Sequence, residues 1–131
     1  MSEGPPIRLD PVTDLLLLQA GDIQAPVAVL DDVEGQLTRV LVERGHQPRV
    51  WCDDVRAEQL VCESLRCTSP HQAVTEARTV LWRLPRAIAA VEEYGEIIAR
   101  HARPDVQVVA AGRDKHLSRS MNAVLAKNFT S

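Results

Sequence analysis

The stretch best equipped for chemistry is VAVLDDVEGQL, residues 27–37. An apolar run from Val27 to Leu30 breaks into Asp31 and Asp32, and beyond Gly35 an amphipathic stretch begins. A strand that turns into a helix at a glycine is where many α/β proteins seat a nucleotide-like cofactor. Glycines there let the backbone approach the ligand and adopt angles that a Cβ forbids. Set on a G-x-G-x-G pattern, Gly35 keeps the last glycine, while Asp31 and Val33 occupy the other two positions. Valine disfavours positive φ, and its branched side chain takes up space a ligand would need. Asp31, Asp32 and Glu34 add crowded negative charge. The favoured reading is therefore a plain helix N-terminus with Asp32 as its cap.

Asp53 ends a second strand candidate, Arg49–Cys52, at a place where nucleotide-binding folds often put an acid for ribose hydroxyls. Asp53-Asp54 ahead of a helix is equally an ordinary cap. A third strand ends in Trp82-Arg83-Leu84-Pro85-Arg86, and a fourth in Gly112-Arg113-Asp114-Lys115-His116. If those two strands are neighbours, Arg83, Arg86, Arg113, Lys115 and His116 form one basic rim able to contact phosphates. Solvated surface charge explains the same residues as well.

No Ser/Cys–His couple, catalytic carboxylate pair or metal cluster accompanies these loops, so no catalytic residue is assigned. Cys52, Cys62 and Cys67 match no metal-ligand spacing and read as reduced thiols of a cytosolic protein. His46 and His71 fall in expected loops, and His101 near a helix end. Trp51 and Trp82 lie inside strands and read as core.

The elements that must position these loops alternate. Asp10-Pro11 starts a helix that Gly21 ends near residue 20, and Val27–Leu30 is a short buried strand. Leu37, Val40 and Leu41 sit at helical spacing up to Gly45. Residues 55–66 read as helical, and 67–77 as a loop with a weak short strand. Thr79–Trp82 is a strand, 86–102 a helix, Val106–Ala111 a strand, and 117–128 a last helix. Such alternation implies βαβ units, right-handed crossovers and a mostly parallel sheet. Residues 1–9 are expected to be flexible, and 10–131 to form a single domain.

Composition agrees with an ordinary globular domain, at 45% hydrophobic and 25% charged residues. Aromatics make up only 3%, so Leu, Val, Ile and Ala must build the core. Charge is uneven: residues 1–77 hold 6 Arg/Lys against 13 Asp/Glu, and residues 78–131 hold 9 against 5. The opening MSEGPPIRLD lacks the pattern of a secretory leader, and Leu15–Leu18 is too short to span a bilayer. A cytoplasmic protein with no membrane partner is expected.

The order PVAVLDDVEGQLTRVL, VWCDDVRAEQLVCESL, VLWRLPRAIAAVEE and VVAAGRDKH resembles the N-terminal half of two-domain ribosomal RNA (guanine-N2)-methyltransferases over about residues 10–128. The resemblance implies a Rossmann-like, S-adenosylmethionine-methyltransferase-type α/β fold. With it comes a mostly parallel sheet flanked by helices, expected here to lack the last strands, as in a fragment of a longer protein. In that family the C-terminal copy of a duplicated domain carries the glycine-rich loop and an N-P-P-aromatic motif, while the N-terminal copy is degenerate. Val29 stands where an active copy often has an acid, and Arg83-Leu84-Pro85-Arg86 replaces the N-P-P-aromatic run. The resemblance thus implies that this domain binds no cofactor, with S-adenosylmethionine belonging to the parent protein. Its partners would be the C-terminal catalytic domain of the same protein and ribosomal RNA. Two other readings stay open: an active S-adenosylmethionine-dependent methyltransferase with an atypical loop, and a protein-interaction module.

Overall fold

Asp10 and Pro11 open the first helix, α1 (Pro11–Ala20), as their types require. The Asp10 carboxylate accepts the backbone N–H of Val12 (3.1 Å) and of Thr13 (3.3 Å), while proline at the first position gives up no useful donor. The computed structural model describes residues 10–32, 35–53, 59, 61–84 and 88–112. After α1 come β1 (Val27–Leu30), α2 (Gln36–Glu43), β2 (Arg49–Trp51) and α3 (Pro70–Val74). These are followed by β3 (Thr79–Arg83), α4 (Ile88–His101) and β4 (Gln107–Ala111).

The four strands form one parallel sheet in the order β2-β1-β3-β4. All four β1 residues are buried, because a central strand of a parallel sheet is covered on both faces. Val27, Val29 and Leu81 point to one face, where Leu16 of α1 and Leu37 and Leu41 of α2 meet them. Ala28, Leu30, Val80 and Trp82 point to the other, against Val74 of α3 and Val91, Tyr94 and Ile98 of α4. The chain moves outward from β1 to β2, then returns to place β3 on the other side of β1. Strand order therefore reverses between β1 and β3, and the crevice at their C-terminal ends is where such sheets take ligands.

The expected alternation, the boundaries of α1 and β1, and the pairing of the third and fourth strands are all found. Two segments differ. Among residues 55–66, those at 55–58 and 60 lie outside the described residues, but 61–66 are not an α-helix. A single 3₁₀ turn, Glu63–Leu65, leads to Arg66, which bridges Val50 in parallel. The Arg66 guanidinium holds the carbonyls of Val61 (2.9 Å) and Gln59 (3.3 Å), and the Cys67 N–H bonds to the Val50 oxygen (2.8 Å). Side chain and sheet thus take the backbone partners that a helical ladder would have used. The segment expected as a loop contains α3, started by Ser69, whose hydroxyl accepts the Gln72 N–H at 3.1 Å, and by Pro70. That places His71 on a helix, its ring stacked on His101 of α4 at 3.7 Å between centroids. The helix expected at 117–128 and the segment 1–9 lie outside the described residues.

Candidate ligand edge of the sheet

The ends of β1 and β2 are joined by Asp31. Its backbone has φ +60°, the left-handed region that a glycine would normally supply at this position. Aspartate tolerates that region better than most residues, at a cost of roughly 1 kcal/mol. Its N–H bonds to the Trp51 oxygen (2.8 Å), and its Oδ1 accepts the Asp53 N–H (2.8 Å). Burial pushes the Asp31 carboxyl up to about 6, helped by the neighbouring charge of Asp53 and only partly offset by the Asp53 N–H.

Asp32 does something different. It is 2% exposed, and its two oxygens accept the N–H of Leu37 (3.1 Å) and of Thr38 (2.7 Å). Those amides belong to the first turn of α2, the place where a bound anion would find its donors. The chain's own carboxylate takes them, although the N-cap position itself is Gly35, three residues beyond the expected Asp32. Burial raises the Asp32 carboxyl, while the Thr38 and Leu37 amides and the Arg83 charge pull it back. Gly35, with φ +69°, makes the final left-handed step into the helix. Val33 lies outside the described residues.

Asp53 is exposed, and what it contributes to Asp31 is its backbone N–H rather than its side chain. Nearby, the Trp51 indole N–H donates to the Tyr94 hydroxyl (3.2 Å). Burial raises that phenol, and the charges of Asp31 and Asp53 add to the rise. Trp82 is fully buried, as a core residue should be, with its ring 5.9 Å from that of Tyr94.

Of the five residues of the anticipated basic rim, Arg83 alone lies within the described residues. Its guanidinium turns inward to pair with Asp10, with side chains 16% and 24% exposed. Arg83 is thereby engaged with the carboxylate at the head of α1. Arg86, Arg113, Lys115 and His116 lie outside the described residues. The strand ends that carry the two loops do lie side by side, since the Leu84 N–H bonds to the Ala111 oxygen at 2.8 Å. The Asp10–Arg83 pair was not foreseen. Asp10 shows as a helix cap in the sequence, but nothing local points to a partner 73 residues away.

Among the described residues no group of three or more His, Cys, Asp or Glu side chains is placed to share a metal ion. Cys52 and Cys67 are buried and Cys62 is exposed. No helix among the described residues is long and apolar enough to cross a membrane.

Parallel strands in this order, helices on both faces and a capped loop at the reversal of strand order define a doubly wound α/β domain of the Rossmann type. A malate dehydrogenase from Naegleria fowleri superimposes with a TM-score of 0.55 at 14% identity, over 82% of this chain and 44% of that one. At that identity the likeness speaks for the fold alone, and the chain spans less than half of that enzyme. No curated protein matches the chain. The chain belongs to the RLMG N-terminal domain family, whose model matches residues 12–131. The family is the N-terminal domain of RlmG, a ribosomal RNA guanine-N2 methyltransferase.

Proposed function

We propose that this chain is a non-catalytic domain of a ribosomal RNA guanine-N2 methyltransferase, acting in the cytoplasm as support for a C-terminal catalytic domain of the same protein. Methyl transfer from S-adenosylmethionine to a guanine amine belongs to that second domain. One observation carries the reading: Asp32, buried to 2% exposure, caps the helix amides that a cofactor loop would offer. Asp31 adds a second carboxylate in the conformation of the first glycine. A carboxylate-bearing, adenosine-linked ligand would meet like charge and filled donors there. Titration calorimetry of S-adenosylmethionine into the purified chain tests this, with no saturable heat expected and a micromolar isotherm counting against it.

RNA contact falls to Arg86, Arg113, Lys115 and His116, which follow the paired ends of β3 and β4; Arg83 is committed to Asp10. Replacing Arg86, Arg113 and Lys115 together by Ala is expected to weaken binding of a ribosomal RNA fragment about tenfold or more and to lower its salt dependence. An unchanged affinity would remove RNA from the proposal. The enzymatic alternative draws on the exposed Asp53 at the ribose position, and the same calorimetry decides it.

A further inference from the structure

The two edges of the parallel sheet are finished differently. Beyond β2, Arg66 bridges Val50 in parallel and the Cys67 N–H bonds to the Val50 oxygen (2.8 Å), so the chain covers part of that edge itself. Beyond β4, no strand among the described residues pairs. The bonds of β4 to β3 fix which way its main chain faces. Gln107 donates its N–H to the Arg78 oxygen (2.9 Å), and the Ala111 oxygen accepts the Leu84 N–H (2.8 Å). Successive residues of a strand turn their main-chain groups to opposite sides. Gln107, Val109 and Ala111 therefore address β3, while Val108 and Ala110 present their N–H and C=O groups outward. Natural edges are blunted by charge, proline or a bulge. Gln107–Ala111 reads QVVAA, with neither charge nor proline, and its register with β3 is unbroken.

We propose that the free edge of β4 docks the same strand of a second copy of this chain, paired antiparallel about a two-fold axis at Val109. In that register Val108 of each copy exchanges N–H···O=C bonds with Ala110 of the other, and the outward groups of both strands are satisfied together. A strand without charge meets no like charge in its own image. The axis runs perpendicular to the sheet, keeps like faces together and sets the two copies of α1 side by side. α1 lies along this margin, where the Gln107 side-chain amide donates to the Ala20 oxygen (3.3 Å), and its Leu18 is 73% exposed. The same pairing thus brings apolar surface together beside the joined main chains.

Sedimentation equilibrium of the chain from micromolar to millimolar concentration tests it. The average mass is expected to rise with concentration toward twice that of the chain. Ala110→Pro removes an outward N–H and leaves the bonds to β3 in place. It is expected to raise the dissociation constant about tenfold or more, with the circular dichroism spectrum unchanged. A chain that stays monomeric at millimolar concentration, or an association that Ala110→Pro leaves unaltered, would overturn the proposal. Should Ala110→Pro fail to fold, amide hydrogen exchange of the wild-type chain decides. Protection at Val108 and Ala110 is expected to grow with concentration, while Val109, which faces β3, is protected throughout. Protection of those two amides that is equal at every concentration means that another part of the chain covers the edge. Exchange that stays fast at every concentration means that the edge stands open, and both results contradict the pairing.

Discussion

Asp31 and Asp32 are adjacent carboxylates with separate tasks, and their replacement should show it. Asp32→Ala removes the acceptor of two buried amides and is expected to cost about 2 kcal/mol in urea unfolding; a loss within error would mean that the Leu37 and Thr38 amides have another partner. Asp31 gives a pH signature. Its folded pKa, about 6, lies above the ordinary carboxylate value, so the folded chain keeps a proton that the unfolded chain has lost. Below the unfolded value the two states are protonated alike. Between that value and about 6 each rise in pH lowers stability, by up to about 3 kcal/mol in total, and above it the loss is complete. Asp32 is shifted the same way. Asp10 is the reverse case: burial would raise it, but Arg83 and the Thr13 and Val12 amides outweigh burial and lower it. Its contribution is present above the ordinary carboxylate range and disappears as pH falls through the lowered value. Denaturant unfolding at pH 5 and pH 7 should find the wild-type chain more stable at pH 5, and Asp31→Asn should reduce that difference. An equal difference in the variant would place the titrating group elsewhere.

The elements follow from local signals wherever those signals are self-sufficient. Asp10-Pro11, the apolar run Val27–Leu30 and the Leu37/Leu41 spacing each specify their element without help from afar, and each appears as the sequence implies. The segment before Cys67 was misread because its helical spacing competes with an arginine that bonds two carbonyls and with a sheet edge that claims Arg66. The sheet pairing is tertiary and leaves no local trace, while the arginine's bonds reach only five and seven residues back. The Asp32 contact was legible, since carboxylate and helix are neighbours in sequence, whereas the Asp10–Arg83 pair depends on the fold bringing α1 over β3. Two substitutions test the helices on either side of the loop. Gly35→Ala, forced into φ +69°, is expected to cost about 1–2 kcal/mol. Leu41→Ala, at a fully buried position against the sheet, is expected to cost about 3 kcal/mol. Costs in the opposite order would argue against the packing of α2 on β1.

At the scale of the whole molecule, the chain has the sheet order and helical layers of a Rossmann-type fold, and the proposed reading is that its own side chains occupy the ligand edge. Asp32 takes the helix amides, Asp31 clasps the end of β2, and Arg83 pairs with Asp10 at the head of α1. On the reading proposed above, a domain built this way contributes shape and surface to a larger protein, which suits membership of an N-terminal domain family. The most direct measurement is an amide NMR titration of the labelled chain with S-adenosylmethionine, followed at Gly35, Leu37 and Thr38. Their resonances are expected to stay in place up to millimolar ligand, because Asp32 already holds the Leu37 and Thr38 donors. Saturable shifts at those three amides would contradict a ligand edge closed from within.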